Sequence, residues 1–252
     1  MKFCKQSLLL IFIILAQFTF AGNQQNIDSA NAAYSKNNFD RAIKLYKDID
    51  DKGYEAMELY YNLGNSYFKT NNIPAAILYW EKALKLKPND DDIKFNLKVA
   101  NSRISDKIDP LPEIFIKRWW RNACNIFSSN SWATITLISF FVFLIFLTVF
   151  RLSRSLGLRK TSFYLSIIFL FISLLTASFA YQQYKNLISH NEAIVFTPTV
   201  TIKSSPDENS TDLFVIHEGL KLQLLDNISD WYKIKIPNGS IGWLNKNDFE
   251  II

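Results

Sequence analysis

The chain has 252 residues, 49% hydrophobic and 15% aromatic, with 7 Gly and 7 Pro, which excludes the disordered and collagen-like classes. Its 28 Lys+Arg and 23 Asp+Glu give a charge of +5, but the excess is local. Residues 110–189 carry 8 basic groups and 1 acidic, residues 22–109 balance at 13 each, and residues 190–252 carry 5 against 9. Cations beside apolar runs set membrane orientation rather than track phosphates, so no nucleic-acid partner is expected. Of Cys4 and Cys124 the first falls in a segment expected to be removed, which leaves the mature domains with 2 His and no Cys cluster, too few for a zinc site or a Cys/His nucleophile pair, and neither a metal nor a cofactor is expected.

Residues 1–21 place Lys2 and Lys5 ahead of an apolar run from Leu8 to Leu15, then Thr19 and Ala21, the order of a secretory signal peptide. Cys4 precedes the apolar run, so it is not placed as a lipoprotein cysteine.

Residues 22–107 alternate helical periodicity with Asn-rich turns and repeat at an offset of 34. NNFDRAIKLYKDI (37–49) lies over NNIPAAILYWEKA (71–83). That period predicts a tetratricopeptide-repeat (TPR) array. Counting from Met57, the signature positions hold Tyr60, Leu63, Gly64, Tyr67, Ala76, Trp80, Ala83 and Pro88. Gly64 and Ala76 are small where paired helices approach closely, the aromatics fill the space between repeats, and Pro88 stops a helix. The first unit is looser, with Ser29 and Ala30 in place of Leu and Gly. Residues 91–104 read as a capping helix, with Asp90, Asp91 and Asp92 at its start, where carboxylates favour a helix N-terminus.

Residues 108–131 form a linker and an interfacial helix, in which Trp119 and Trp120 beside Lys117, Arg118 and Arg121 suit the headgroup region. Two uncharged runs follow, 132–150 and 161–181, each long enough to cross a hydrocarbon core of about 30 Å. Between them, residues 151–160 carry four basic residues and no acid. The positive-inside rule puts that loop in the cytoplasm and both flanking domains outside, at the bacterial inner membrane.

Residues 190–252 break into short strands separated by Gly, Asn, Asp and Pro, which predicts a small all-β barrel. Asn238-Gly239 predicts a type I′ hairpin turn. TVTIKSSP, the HEG turn at 217–219, DWYKI and NGSIGW resemble a bacterial SH3-like domain. Alternation on the DWYKIKI strand puts Tyr232, Ile234 and Ile236 on one face and Trp231, Lys233 and Lys235 on the other. The resemblance makes Trp231 a candidate ligand platform. Asn245 and Asp248 replace the Pro and Tyr of proline-binding SH3 domains, so a polyproline ligand is not implied.

Signal segment, short TPR array, two-span hairpin and SH3-like domain together make a multidomain membrane protein whose layout resembles the BatE family of aerotolerance-operon proteins. That resemblance implies an envelope stress-tolerance role beside von Willebrand A-domain membrane proteins and a MoxR-type ATPase. Inner-helix groove positions of TPR arrays fall on Glu58, Tyr61, Asn65, Phe68 and Lys69, with Asn31 equivalent to Asn65 and Asn62 one turn away. Repeated asparagine there resembles the peptide-clamping amides of TPR domains, and Lys69 offers a carboxylate contact. No catalytic constellation is present, and His217 reads as a structural histidine. The expectation is therefore a non-enzymatic, membrane-anchored envelope scaffold holding protein partners. The alternative is a receptor for wall peptide at the SH3-like domain.

Overall fold

The computed structural model describes residues 26–252, so the expected signal segment lies outside the described residues. The chain divides into two compact units. One comprises residues through 83, 92–109 and 191–252, and the other residues 84–91 and 110–190.

The helices before the sheet are α1, whose described part covers 26–35, α2 (Phe39–Asp50), α3 (Met57–Lys69), α4 (Ile73–Leu86) and α5 (Asp91–Asn101), and all of their described residues but 84–86 and 91 belong to the first unit. The duplicated Asn pairs explain why the turns recur. Asn37 and Asn71 adopt positive φ, 57° and 62°, which asparagine tolerates better than most residues. Asn38 Oδ1 then accepts from Arg41 N at 3.3 Å, and Asn72 Oδ1 from Ala75 N at 3.2 Å, capping α2 and α4. Ala30, Ala42, Leu63, Ala76, Trp80 and Ala83 are buried, as the repeat signature requires. A Cβ on Gly64 would stand 2.6 Å from Trp80 Cδ1, so the position has room only for glycine.

The C-terminal part of this unit is one antiparallel sheet of β1 (Glu192–Val195), β2 (Thr199–Lys203), β3 (Asp212–His217), β4 (Lys221–Ile228), β5 (Trp231–Lys235), β6 (Ile241–Asn245) and β7 (Phe249–Ile251). Its order is β3-β2-β6-β5-β4-β1-β7. The sheet is open, with β3 and β7 at its edges, so the hydrogen bonds do not close the SH3-like barrel expected from the strand spacing. The 236–240 turn also differs from expectation. Gly239 alone has positive φ, 92°, and its N–H donates to Ile236 O at 2.9 Å. Pro237 fixes the first central position at negative φ, which rules out type I′ and gives a longer loop ending on a left-handed glycine.

The sheet packs on the repeats within the same unit. Ile108, from the segment after α5, joins the core of Ile202, Ile234 and Leu244. A Cβ on Gly219 (φ 85°) would meet Ile104 Cγ2 at 2.5 Å. Asp106 receives the His217 N–H on Oδ2 at 2.6 Å and faces His217 Nδ1 through Oδ1 at 2.8 Å. Lys221 Nζ lies 3.0 Å from both Glu81 of α4 and Glu192 of β1. Burial opposes the charge on Lys221, but the Glu81 and Glu192 carboxylates hold its pKa above the ordinary lysine value.

The second unit contains α6 (Phe115–Cys124), α7 (Ser129–Leu152) and α8 (Leu156–Ile188). Both long helices exceed the uncharged runs. α7 takes in Arg151, and α8 takes in Arg159 and Lys160 before running on to Ile188, so the basic loop contracts to a turn at 153–155. Their seam is polar. Thr136 and Thr176 hydroxyls meet at 2.9 Å, and Ser173 Oγ donates to Thr136 O at 3.3 Å.

Candidate functional site

The inner helices of the array stand side by side and are tied by a hydrogen-bond motif that repeats with the sequence. In the second repeat, Asn65 Oδ1 accepts from Trp80 Nε1 at 3.1 Å and from Asn96 Nδ2 at 3.2 Å. In the first, Asn31 Oδ1 accepts from Tyr46 Oη at 2.6 Å and from Asn62 Nδ2 at 3.3 Å. Each asparagine oxygen therefore joins the outer helix of its own repeat to the inner helix of the next. The Nδ2 groups of Asn31 and Asn65 make no hydrogen bond among the described residues. At each step the donor half of the amide thus stays outside these bonds, while the acceptor half serves the fold.

Tyr61 lines the same face and accepts from Asn96 Nδ2 at 3.4 Å, and Lys69 is exposed at the end of α3. Extending the period into the cap adds residues that the two-repeat reading missed. Phe95 is the counterpart of Tyr61 and is 65% exposed, and Arg103 is the counterpart of Lys69. The Arg103 guanidinium sits 4.4 Å from the centroid of Phe68, which in turn tilts against Trp80 at 5.4 Å. The same face carries acidic Glu58 and Asp92 at the starts of α3 and α5, basic Lys69 at the end of α3 and basic Arg103 just past the end of α5.

Behind the groove the outer helices bury a phenolic cluster. Tyr67 and Tyr79 stack at 5.5 Å, and Lys47 Nζ donates to Tyr79 Oη at 3.0 Å while lying 3.5 Å from Asp50. Burial pushes Tyr46 and Tyr79 up to about 12, with Asp50 adding to the effect at Tyr79 and Tyr34 at Tyr46, although the neighbouring Asn62 amide and the Lys47 ammonium work the other way.

On the sheet, Tyr232, Ile234 and Ile236 point to the core side, and Trp231 is half-buried on the face of Lys233 and Lys235. Trp243, which strand alternation also makes available, pairs with Lys233 on one side and Lys203 on the other. Two tryptophans and three lysines therefore share one sheet face.

A family model of the tetratricopeptide repeat matches residues 58–90. No curated protein is similar enough to match the chain. Among solved structures, an NlpC/P60 family protein from Bacillus cereus ATCC 10987 is 28% identical over 25% of this chain and 21% of its own, with a TM-score of 0.21. The chain thus spans about a fifth of that protein, a likeness too small to carry fold or activity across.

Proposed function

We propose that the protein is a non-enzymatic, membrane-anchored scaffold that holds an extended segment of a protein partner in the repeat groove. The observation that carries this reading is the TPR unit at 58–90, whose asparagine motif at Asn65 is repeated one period earlier at Asn31. Repeat arrays of this kind present continuous concave faces to other chains.

Membrane anchoring is supported by the inverted distribution of the α7–α8 hairpin. Its buried positions include Ser139, Ser166, Ser173 and Thr176, while Phe141, Ile145, Phe171 and Leu174 are exposed. Water disfavours that arrangement, and small polar residues at a helix seam are a membrane pattern. The segments leaving the hairpin at either end enter one compact unit, which favours placing repeats and sheet on a common side of the bilayer. By the positive-inside rule, the basic turn favours the periplasm of a bacterial inner membrane as that side.

The BatE resemblance supplies the candidate partners, von Willebrand A-domain membrane proteins and a MoxR-type ATPase system, in an aerotolerance complex. Affinity purification of the full chain in mild detergent tests this. Recovery of von Willebrand A-domain proteins supports the scaffold, and their absence removes it. The Trp231, Trp243 and lysine face favours a second reading, a wall-sensing receptor for peptidoglycan peptides. Specific retention of muropeptide would support it.

A further inference from the structure

Helix α6 divides its circumference in two. At 3.6 residues per turn, Phe115, Trp119, Ala123, Ile116, Trp120 and Cys124 follow one another round one half, and Lys117, Arg121, Arg118 and Asn122 round the other. Only part of the apolar half is covered by protein. Trp120 meets Phe179 of α8 at 4.9 Å, and Ala123 packs in the same cluster. Cys124 is fully buried, and its carbonyl accepts from Trp132 Nε1 at 2.9 Å. The rest of the apolar half stands open, with Phe115 69%, Ile116 71% and Trp119 59% exposed.

We propose that this open strip of α6 beds into the acyl boundary of one membrane leaflet and that Lys117 and Arg118 hold the phosphates of anionic phospholipid there. The inference rests on the reading that α7 and α8 cross a bilayer. Two observations commit the occupant to lipid. First, α6 is fixed at the level where the hairpin ends. α7 begins at Ser129, soon after Cys124, and Gln183 Nε2 of α8 donates to Asn125 Oδ1 at 2.6 Å. A hairpin crossing the bilayer places that level where hydrocarbon gives way to headgroups, the depth that favours a tryptophan with its polar edge outward. Second, the charge is complementary. Arg121 pairs with Glu113, whereas Lys117 and Arg118 make no ion pair among the described residues. A helix with an apolar strip and unpaired cations beside it matches an anionic interface, which attracts each such cation. The sequence treats Trp119 and Trp120 as equivalent interfacial residues, but only Trp119 faces outward. The basic cluster opposite the hairpin turn then has a role in lipid binding rather than in setting orientation.

The full chain, wild type and Trp119→Phe, is reconstituted into phosphatidylcholine vesicles containing equal amounts of either phosphatidylcholine or phosphatidylglycerol brominated high on the acyl chains. The difference between the two proteins isolates Trp119 fluorescence. Quenching of Trp119 should be about twofold stronger with the brominated phosphatidylglycerol, and Lys117→Gln/Arg118→Gln should abolish that preference. Resistance to alkaline extraction reports the hairpin separately. An inserted hairpin with unquenched Trp119 overturns the bedding of α6 alone. Equal quenching by the two lipids, or a preference that survives the double substitution, overturns the anionic contact. An extractable protein removes the membrane reading and this one with it.

Discussion

Trp80 Nε1 donates to Asn65 Oδ1 at 3.1 Å, and one repeat earlier Tyr46 Oη donates to Asn31 Oδ1 at 2.6 Å. The outer-helix residue changes from indole to phenol, but the bond is kept because both groups present a donor at the same place. Asn65→Ala should therefore lower stability by about 1–3 kcal/mol, since it strands the buried Trp80 N–H. Asn65→Asp, which keeps the acceptor, should lose less. Thermal melts of the two variants check the ordering.

Gly64 faces the same indole. Gly64→Leu would fill space held by Trp80, an overpacking cost of typically about 1–3 kcal/mol or more. Limited proteolysis of the full chain should then cut within 26–105 under conditions that spare the wild type. An unchanged digestion pattern would show that α3 and α4 do not meet at this register.

Alkaline pH should loosen the repeats. The folded pKa values of Tyr46 and Tyr79 are raised from 10.0 to about 12, so the folded state binds their protons more tightly than the unfolded chain does. That contribution is complete below pH 10 and is lost as pH rises to about 12. The melting temperature of the repeats should fall through that window, and less steeply in Tyr79→Phe.

The repeat register was legible in the sequence because Gly64, Ala76 and Trp80 answer to local helix packing at a fixed period. The bonds of Asn31 and Asn65 were not, because a polar residue on a helix surface gives no sign of which of its amide groups turns inward. The strand alternation around Trp231 was legible for the same reason of periodicity. Whether strands close into a barrel depends on pairing between distant segments such as β3 and β7. His217 shows the limit most clearly, since its partner Asp106 lies 111 residues away in sequence.

The Asp106–His217 contact, Oδ1 to Nδ1 at 2.8 Å, joins segments on either side of the hairpin. Reporter fusions after Asn101 and after Ile252 should therefore give the same answer, and with the basic turn inside, both should report export. Opposite signals at the two positions would be incompatible with the contact, and cytoplasmic signals at both would reverse the orientation.

The scaffold account stands most directly on the open face of the groove. Lys69 lies there outside the asparagine–aromatic bonds, and Tyr61 takes only a long bond from Asn96, 3.4 Å, whose amide also serves Asn65, so Lys69→Glu and Tyr61→Ala should remove a partner without unfolding the repeats. The deciding measurement is quantitative co-purification of envelope proteins with the full chain in mild detergent, wild type against these variants, alongside their melting temperatures. The account predicts about a tenfold loss of at least one partner, equivalent to about 1.4 kcal/mol, at an unchanged melting temperature. An identical partner set from wild type and both folded variants would contradict it.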